Sequence, residues 1–504
     1  MAVSEIVLWL IALCPIAALF ISLTILKQSV IRSSFIALSI CLFVLIGLQK
    51  ASFDLGIETL GAAARTAANM LYAIWPAMIL YECMKLSGAF DKMVSLFVRL
   101  TKDKLIQILL ISWLFSSFLQ AISGFGVPVA VCAPFLLALG VKPLYAIMLT
   151  LIGHSWANTY GTLGMAWLSL VELGPVNEYM STALLTGIFL FFINLSGALL
   201  SLYLIGRTKA IKHGFAFVVL MSSIMGIGQL CTSLLSAQTA AFIPCVIALV
   251  VSLLLFRFNI YTKAWGEDGD LLVLDEQKEQ QTDAPISLTC LYPFVLMSLA
   301  CVLVFLVPAI REPIEHIQIA GIPLIVHAGF VLSLACLPAF IGLKKAEMRA
   351  LPQKILKRLL PISCGIFLLV CLARLLELSG LITILAEGSV AFAGKAYIPF
   401  ASLLGTFGAF ISSSNMSSNI LFAHFQEVSA LSLGISPALL LAAQTAGGAA
   451  GSILGPSTIL LGISTVGLKG KEGIVLSKLV KVALLQSLCI GIACLLIYLS
   501  GVLS

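Results

Sequence analysis

The sequence predicts an all-α polytopic membrane protein, with about twelve transmembrane helices plus two re-entrant hairpins in an inverted-repeat architecture. Three observations predict it. Of the 504 residues, 61% are hydrophobic and 10% charged, whereas a soluble domain carries roughly 25% charged residues. Apolar stretches of about 20 residues, the length that crosses a bilayer, recur from end to end. Two distant stretches, Ser123 to Gly164 and Ser417 to Thr458, follow one template. A β-barrel is excluded, because its strands would be short and alternating. The net charge of +7 is small for this length and spread over loops, which makes the lipid bilayer a partner and nucleic acid none.

Full-length spans are expected at 6–26, 33–49, 66–86, 143–168, 181–206, 213–230, 238–258, 287–309, 321–343, 357–377, 437–465 and 479–502. The first lacks a basic region before it and reads as a retained helix, not a cleaved signal. Segments 104–140 and 396–433 are too long for one crossing and are broken by clusters of small residues. Each reads as a hairpin that turns near the midplane and leaves on its entry side. Lys and Arg should gather in cytoplasmic loops, and Lys92 to Lys104, Arg207 to Lys212, Lys344 to Arg358 and Lys469 to Lys481 all fall on one side of this layout. The acidic loop Glu172 to Glu178 falls on the other. Residues 1–258 form a first half with its broken repeat at about 66–170, and 287–504 a second half with its repeat at about 357–465. The polar stretch 259–286 is a mobile cytoplasmic linker. Seven crossings separate the hairpins, an odd number, so the repeats are inverted.

The template opens with Ser123-Gly-Phe-Gly-Val-Pro128 or Ser412-Ser-Ser-Asn-Met-Ser-Ser-Asn419. It continues to Leu139-Gly-Val-Lys-Pro143 or Leu433-Gly-Ile-Ser-Pro437, then breaks at His154 to Gly161 or Gln444 to Ser452. Paired broken segments in two halves point to a transporter's binding site. Non-helical backbone survives in a bilayer only where protein or a water-filled cavity surrounds it. A broken helix exposes N–H groups at the start of its second half, and with the helix dipole these favour an anion. Gly124 and Gly126 let the backbone turn and approach closely, and Pro128 suits the first turn that follows. Seven hydroxyl or amide side chains between Ser412 and Asn419 can hydrogen-bond a carboxylate and a neighbouring hydroxyl. The competing reading is that such clusters only let membrane helices pack tightly.

Ionisable residues inside spans are few. Glu82 and Lys85, and 292 positions on Arg374 and Glu377, form two i,i+3 pairs with reversed sign. They read either as self-neutralising pairs near the interface or as gating groups. His154 lies at a discontinuity, where it can titrate near neutral pH or serve as a packing residue, and His424 is a weaker candidate of the same kind. Thirteen cysteines without a CxxC pair read as small core residues. No cofactor or metal is expected.

These residues resemble the L-lactate permease family, which also takes up glycolate. The resemblance rests on Ser123 to Ala130, Leu139 to Ala146, Asn158 to Gly164, Ser417 to Ala423, Gly447-Gly448, Gly455-Pro456 and Gly467 to Glu472. It implies secondary, proton-coupled uptake of a small 2-hydroxymonocarboxylate by a multi-pass protein of a prokaryotic plasma membrane. It also implies a homodimer in which one domain moves. On this reading Ser123, Gly124, Gly126, Ser414, Asn415, Ser417 and Asn419 contact the anion, and Asn158, Thr159, Gln444, Thr445 and Ser457 complete the cavity. Three departures stand out. The family places an acid where this chain has Gln120 and an Asp where it has Asn415, and its Asn-Thr-Ala-Pro run is replaced by His154-Ser-Trp-Ala157. His154 and Gln120 are therefore the candidate coupling positions. A transporter of another organic anion, a cation antiporter and an integral-membrane enzyme stay as alternatives. A cation site would favour acids at the breaks, and an enzyme would favour acidic or metal-binding clusters at the cytoplasmic surface.

Overall fold

The computed structural model describes residues 3–174, 178–265, 271–274, 288–468 and 470–501. Helices α1 (Val3–Thr24) and α2 (Val30–Gly47) pack as a pair. The Ser52 hydroxyl accepts the Leu55 N–H and starts α3 (Phe53–Leu86). Gly88, in the left-handed region, ends α3 and turns the chain into α4 (Ala89–Leu100), which buries Phe90, Met93, Val94 and Phe97 on one face.

The first hairpin follows. Helix α5 (Lys104–Leu109), a π-helical turn (Leu110–Phe115) and α6 (Ser116–Ser123) form one arm, wholly buried along its most apolar stretch. Gly124, Phe125 and Gly126 all have positive φ, at 48°, 48° and 78°, and α7 (Val127–Ala138) folds back against α6. Twelve residues reach about 18 Å, short of a hydrocarbon core of about 30 Å. Helix α8 (Pro143–His154) then gives way to a 3₁₀ turn (Ser155–Asn158). Helix α9 (Gly161–Leu173) becomes regular only after Thr162, Leu163 and Gly164, all with positive φ. One helix, α10 (Tyr179–Leu235), covers both spans expected at 181–206 and 213–230. The loop expected between them is a bend at Gly206 and Arg207. Helix α11 (Phe242–Arg257) completes this half.

The second half opens with α12 (Tyr292–Cys301), α13 (Pro308–Ile314) and a small antiparallel pair, β1 (Gln318–Ile319) and β2 (Ile322–Pro323). That pair takes the start of the span expected at 321–343, leaving α14 (Ala328–Ile341) with 14 residues. Then come α15 (Lys345–Leu378) and α16 (Leu381–Ala393), joined through left-handed Gly380. In the second hairpin, α17 (Ala401–Ser412) meets α18 (Asn415–Leu433) across Ser413 and Ser414, and the Ser414 hydroxyl caps α18 by accepting from Ser417 N–H at 3.3 Å. Ser418 Oγ donates to Gly405 O at 2.8 Å, so the two arms run back along each other. Helices α19 (Pro437–Gly451), α20 (Pro456–Val466) and α21 (Glu472–Leu499) end the chain.

The repeat is visible in the elements. Helices α3 and α15 are each 34 residues long, and both their ends lie 292 positions apart. Helix α8 begins at Pro143 and α19 at Pro437, 294 apart. The protein is a multi-pass membrane protein: among the described residues, ten helical stretches are long and apolar enough to cross a bilayer. Helices α3, α15, α2 and α14 pack together on one side, and α17, α18, α19, α9, α10 and α21 on the other.

Of the expected linker, 266–270 and 275–286 lie outside the described residues. The described part is pinned, not mobile. Leu272 N–H donates to Ile205 O (2.8 Å) and Lys142 N–H to Val273 O (2.7 Å), with Val273 buried. Trp265 stacks on His213 at 4.2 Å, and His213 Nε2 lies 2.5 Å from Asp103 Oδ2. Burial raises the Asp103 carboxyl above its ordinary value, against the lowering effect of its hydrogen bonds with His213 and Ile106.

Candidate functional site

The start of each broken half-helix arrives at one place. Gly126 precedes α7, Ser414 caps α18, Met165 begins the regular part of α9, and Thr458 sits in the first turn of α20. Between them lies a cavity of about 60 Å³. At roughly 10–15 Å³ per water-sized sphere, that is room for a ligand of a few heavy atoms. Four helix N-termini aimed at one volume bring partial positive charge and N–H donors to it. Among the described residues no acid lines it, and His154 is the lining side chain able to carry charge.

The chain can build this because its breaks are local. Gly124 has φ 48° and ψ −144°, and a Cβ there would lie 2.9 Å from Thr162 Oγ1. A Cβ at Gly126 would lie 2.8 Å from Leu461 Cδ2. Only glycine gives both the left-handed backbone and the close approach.

Seven of the expected residues line the cavity: Gln120, Gly124, Gly126, His154, Asn158, Ser414 and Asn415. Gln120 Nε2 donates to Asn158 Oδ1 at 2.7 Å, and Asn158 Nδ2 donates to Ser452 Oγ at 2.8 Å. Asn158 and Ser452 are 294 positions apart, the separation of Pro143 and Pro437, so equivalent positions of the two repeats meet here. His154 Nδ1 is buried without a partner among the described residues.

Four more stand behind the wall. Asn415 Nδ2 donates to Thr159 Oγ1 (3.0 Å) and Thr445 O (3.1 Å). Asn419 Nδ2 donates to Ala166 O (2.8 Å) and Thr445 Oγ1 (3.0 Å). Gln444 bonds Ser418 and accepts from Gln426 Nε2. These bonds hold α18 and α19 against α9 and keep the hairpin tip in position.

Three expected contacts are placed elsewhere. The Ser123 hydroxyl donates to Leu119 O in its own helix. Ser417 gives its backbone N–H to the Ser414 cap. Ser457 is exposed, its N–H donating to Ser413 Oγ at 3.2 Å. The second break is also displaced: α19 runs unbroken through Gln444 and Thr445, and the chain breaks at Ser452 to Gly455. Both readings of that cluster hold together. Its polar side chains reach Asn415 and Ser418, while a Cβ on Gly447 or Gly451 would overlap a carbonyl oxygen of α17.

Sequence reasoning missed Phe125, Thr162, Met165, Met416, Ser452 and Thr458 in the lining. Ser452 carried a signal, standing at the repeat offset from Asn158. Trp156 does not line the cavity; it is fully buried and its Nε1 donates to Ser117 Oγ at 2.9 Å. His424 pairs with Glu427 at 2.9 Å, away from the cavity. The expected Arg374–Glu377 pair forms, at 2.9 Å, but Glu82 pairs with Arg358 of α15 (3.1 Å) and not with Lys85.

The chain matches the family model described as L-lactate permease over residues 9–320 and 312–500. It is 27% identical over 493 residues to an L-lactate permease of Halalkalibacterium halodurans, covering 92% of this chain and 91% of that one. It is 25% identical over 549 residues to the glycolate permease GlcA of Escherichia coli, covering 97% and 95%. The Alcanivorax borkumensis YdaH transporter, a solved structure, is 14% identical with a TM-score of 0.47, over 88% of this chain and 87% of that one.

Proposed function

Because the chain belongs to the L-lactate permease family, we propose that it carries a small 2-hydroxymonocarboxylate, L-lactate or glycolate, across the plasma membrane by alternating access. One observation carries the reading: four half-helix N-termini converge on a small cavity with no acid among the described residues of its lining. The dipoles favour the carboxylate. The amide and hydroxyl groups of Gln120, Asn158, Ser414 and Asn415 suit a carboxylate beside a hydroxyl, and Phe125, Met165 and Met416 suit a short carbon chain.

We place the two hairpins as re-entrant elements that move with α8, α9, α19 and α20 past α3 and α15. The proposal extends to a homodimer, which mass photometry in nanodiscs would check.

Proton coupling runs, in this proposal, through His154. It lines the cavity, and the amides Gln120 and Asn415 carry no titratable proton. Radiolabelled L-lactate uptake into proteoliposomes tests both parts. Uptake should be stimulated by an inward proton gradient, and His154→Ala should abolish that stimulation. No L-lactate or glycolate uptake with or without a gradient would sink the substrate reading. Gradient-driven uptake unchanged in His154→Ala would sink the coupling assignment alone.

A further inference from the structure

The two repeats are not in the same condition. Helix α9 packs against α3, whereas its repeat partner α20 packs on α7, α8 and α21 and has no comparable contact with α3 or α15 among the described residues. Pro456, Ser457 and Leu460 of α20 are exposed. The contact that covers the α9 side of the cavity thus has no counterpart along α20 among the described residues, and by the loop charges the α9 end faces outside and the α20 end the cytoplasm.

What closes the α9 end is an ionic cluster. Arg374 of α15 donates from Nη2 to the Glu172 carbonyl (2.8 Å) and to Thr66 Oγ1 (3.1 Å), and from Nη1 to Glu377 Oε2 (2.9 Å). Thr66 and Asn69 of α3 donate in turn to the two carboxylate oxygens of Glu172, at 3.2 and 2.6 Å. Arg374 and the Glu172 carboxylate also face each other at 4.0 Å, with the arginine side chain 12% exposed. A cation on the last carbonyls of α9 is favoured by the dipole of that helix. The planar guanidinium suits three acceptors at once, one each on α9, α3 and its own α15.

We infer that Arg374 and Glu172 form the outer gate of the transport cycle, a latch that fastens the moving helix α9 to the static pair α3 and α15 and is released when the cavity opens outward. The geometry ties latch to site. Glu172 lies six residues beyond Ala166 of the cavity wall, about 9 Å along one helix, so the cavity wall cannot move past α3 and α15 with α9 without breaking the cluster. The latch is also incompletely satisfied. Arg374 Nε and Asn69 Oδ1 are buried without a protein partner among the described residues, which keeps the closed state from being held too firmly to release. Nothing matches it on α20, where the stretch Ser464, Thr465 and Val466 has no acid to offer Arg358 and no base to offer Glu82. Among the described residues the α9 end is latched ionically and the α20 end is not.

The inference rests on the alternating-access reading but not on the substrate. Hydrogen–deuterium exchange on the purified protein in nanodiscs, without substrate, tests it. Glu172→Gln and Arg374→Gln should speed exchange across 165–174 and slow it across 456–466, since releasing the outer end shifts the population toward inner closure. An opposite change of at least about fivefold at the two ends is expected. Thr66→Val, which removes one hydroxyl bridge and no charge, should move both segments the same way by less, and stands in should either charge variant misfold. Arg374→Lys should lie nearest the wild type. Faster exchange at 165–174 with 456–466 unchanged would mean a merely local support and would overturn the latch, as would no change at either end. Opposite shifts in these variants together with no L-lactate or glycolate uptake by the wild type would overturn the substrate reading alone.

Discussion

Asn158 holds three elements together with one amide. It accepts from Gln120 on α6 and donates to Ser452 between α19 and α20. Asn158→Ala leaves the Gln120 amide and the Ser452 hydroxyl without that partner in a buried place, at a cost of about 1–3 kcal/mol. To the extent that this cost falls on the substrate-bound state, lactate uptake below saturation should fall about fivefold or more. Gln120→Glu tests the amide itself. An ionised carboxylate would face Asn158 Oδ1 and repel an anionic substrate, so uptake should drop at neutral pH and recover as the pH falls and the carboxyl protonates. Uptake falling equally at every pH would show that Gln120 acts through shape alone. Asn158 was legible because a polar residue beside a helix break has few reasons to be there, and Gln120 because the family resemblance implies an acid in its place. Ser417 and Ser457 looked equally good. They point away because side-chain direction around a helix depends on the turn at which it starts, and that start was not readable to one residue.

Among the elements, the contact between α17 and α19 is made of backbone. Gly405, Gly447 and Gly451 each face the main chain of the other helix so closely that a Cβ would overlap a carbonyl oxygen. Gly447→Ala should destabilise by about 1–3 kcal/mol, the usual cost of overpacking, and lower the melting temperature in detergent. Gly473→Ala in α21 is the control, since nothing stands within 4 Å of its added methyl. It should be neutral or mildly stabilising. The sequence misplaced the break beside these residues for a physical reason. Glycine that turns the chain and glycine that admits a neighbour are the same residue, and only φ tells them apart. Gly124 and Gly126 have positive φ; Gly447 and Gly448 are ordinary helical residues.

Across the whole molecule, the halves are interlocked. Asn415 reaches Thr159, Asn419 reaches Ala166, and Gln486 of α21 donates to Ser196 Oγ of α10 at 3.0 Å. Neither half can satisfy these buried groups alone. Chains ending at Leu274 and starting at Leu288, expressed together with a tag on one, should co-purify as a folded pair. Either alone should aggregate on extraction. A well-folded single half would show that the crossing bonds are incidental.

The membrane class, the twofold template and the place where the broken segments meet were all contained in the sequence. Each is a property of composition, charge placement or a local break, and those act through neighbours in the chain. What the tertiary structure decided is which polar atoms face the cavity and which brace its wall. It also decided that Arg374, while keeping its pair with Glu377, grips a helix 202 positions away. Partners that distant meet only after the helices have packed. A side chain's role is set there by the angle at which it emerges and by what the opposite helix offers.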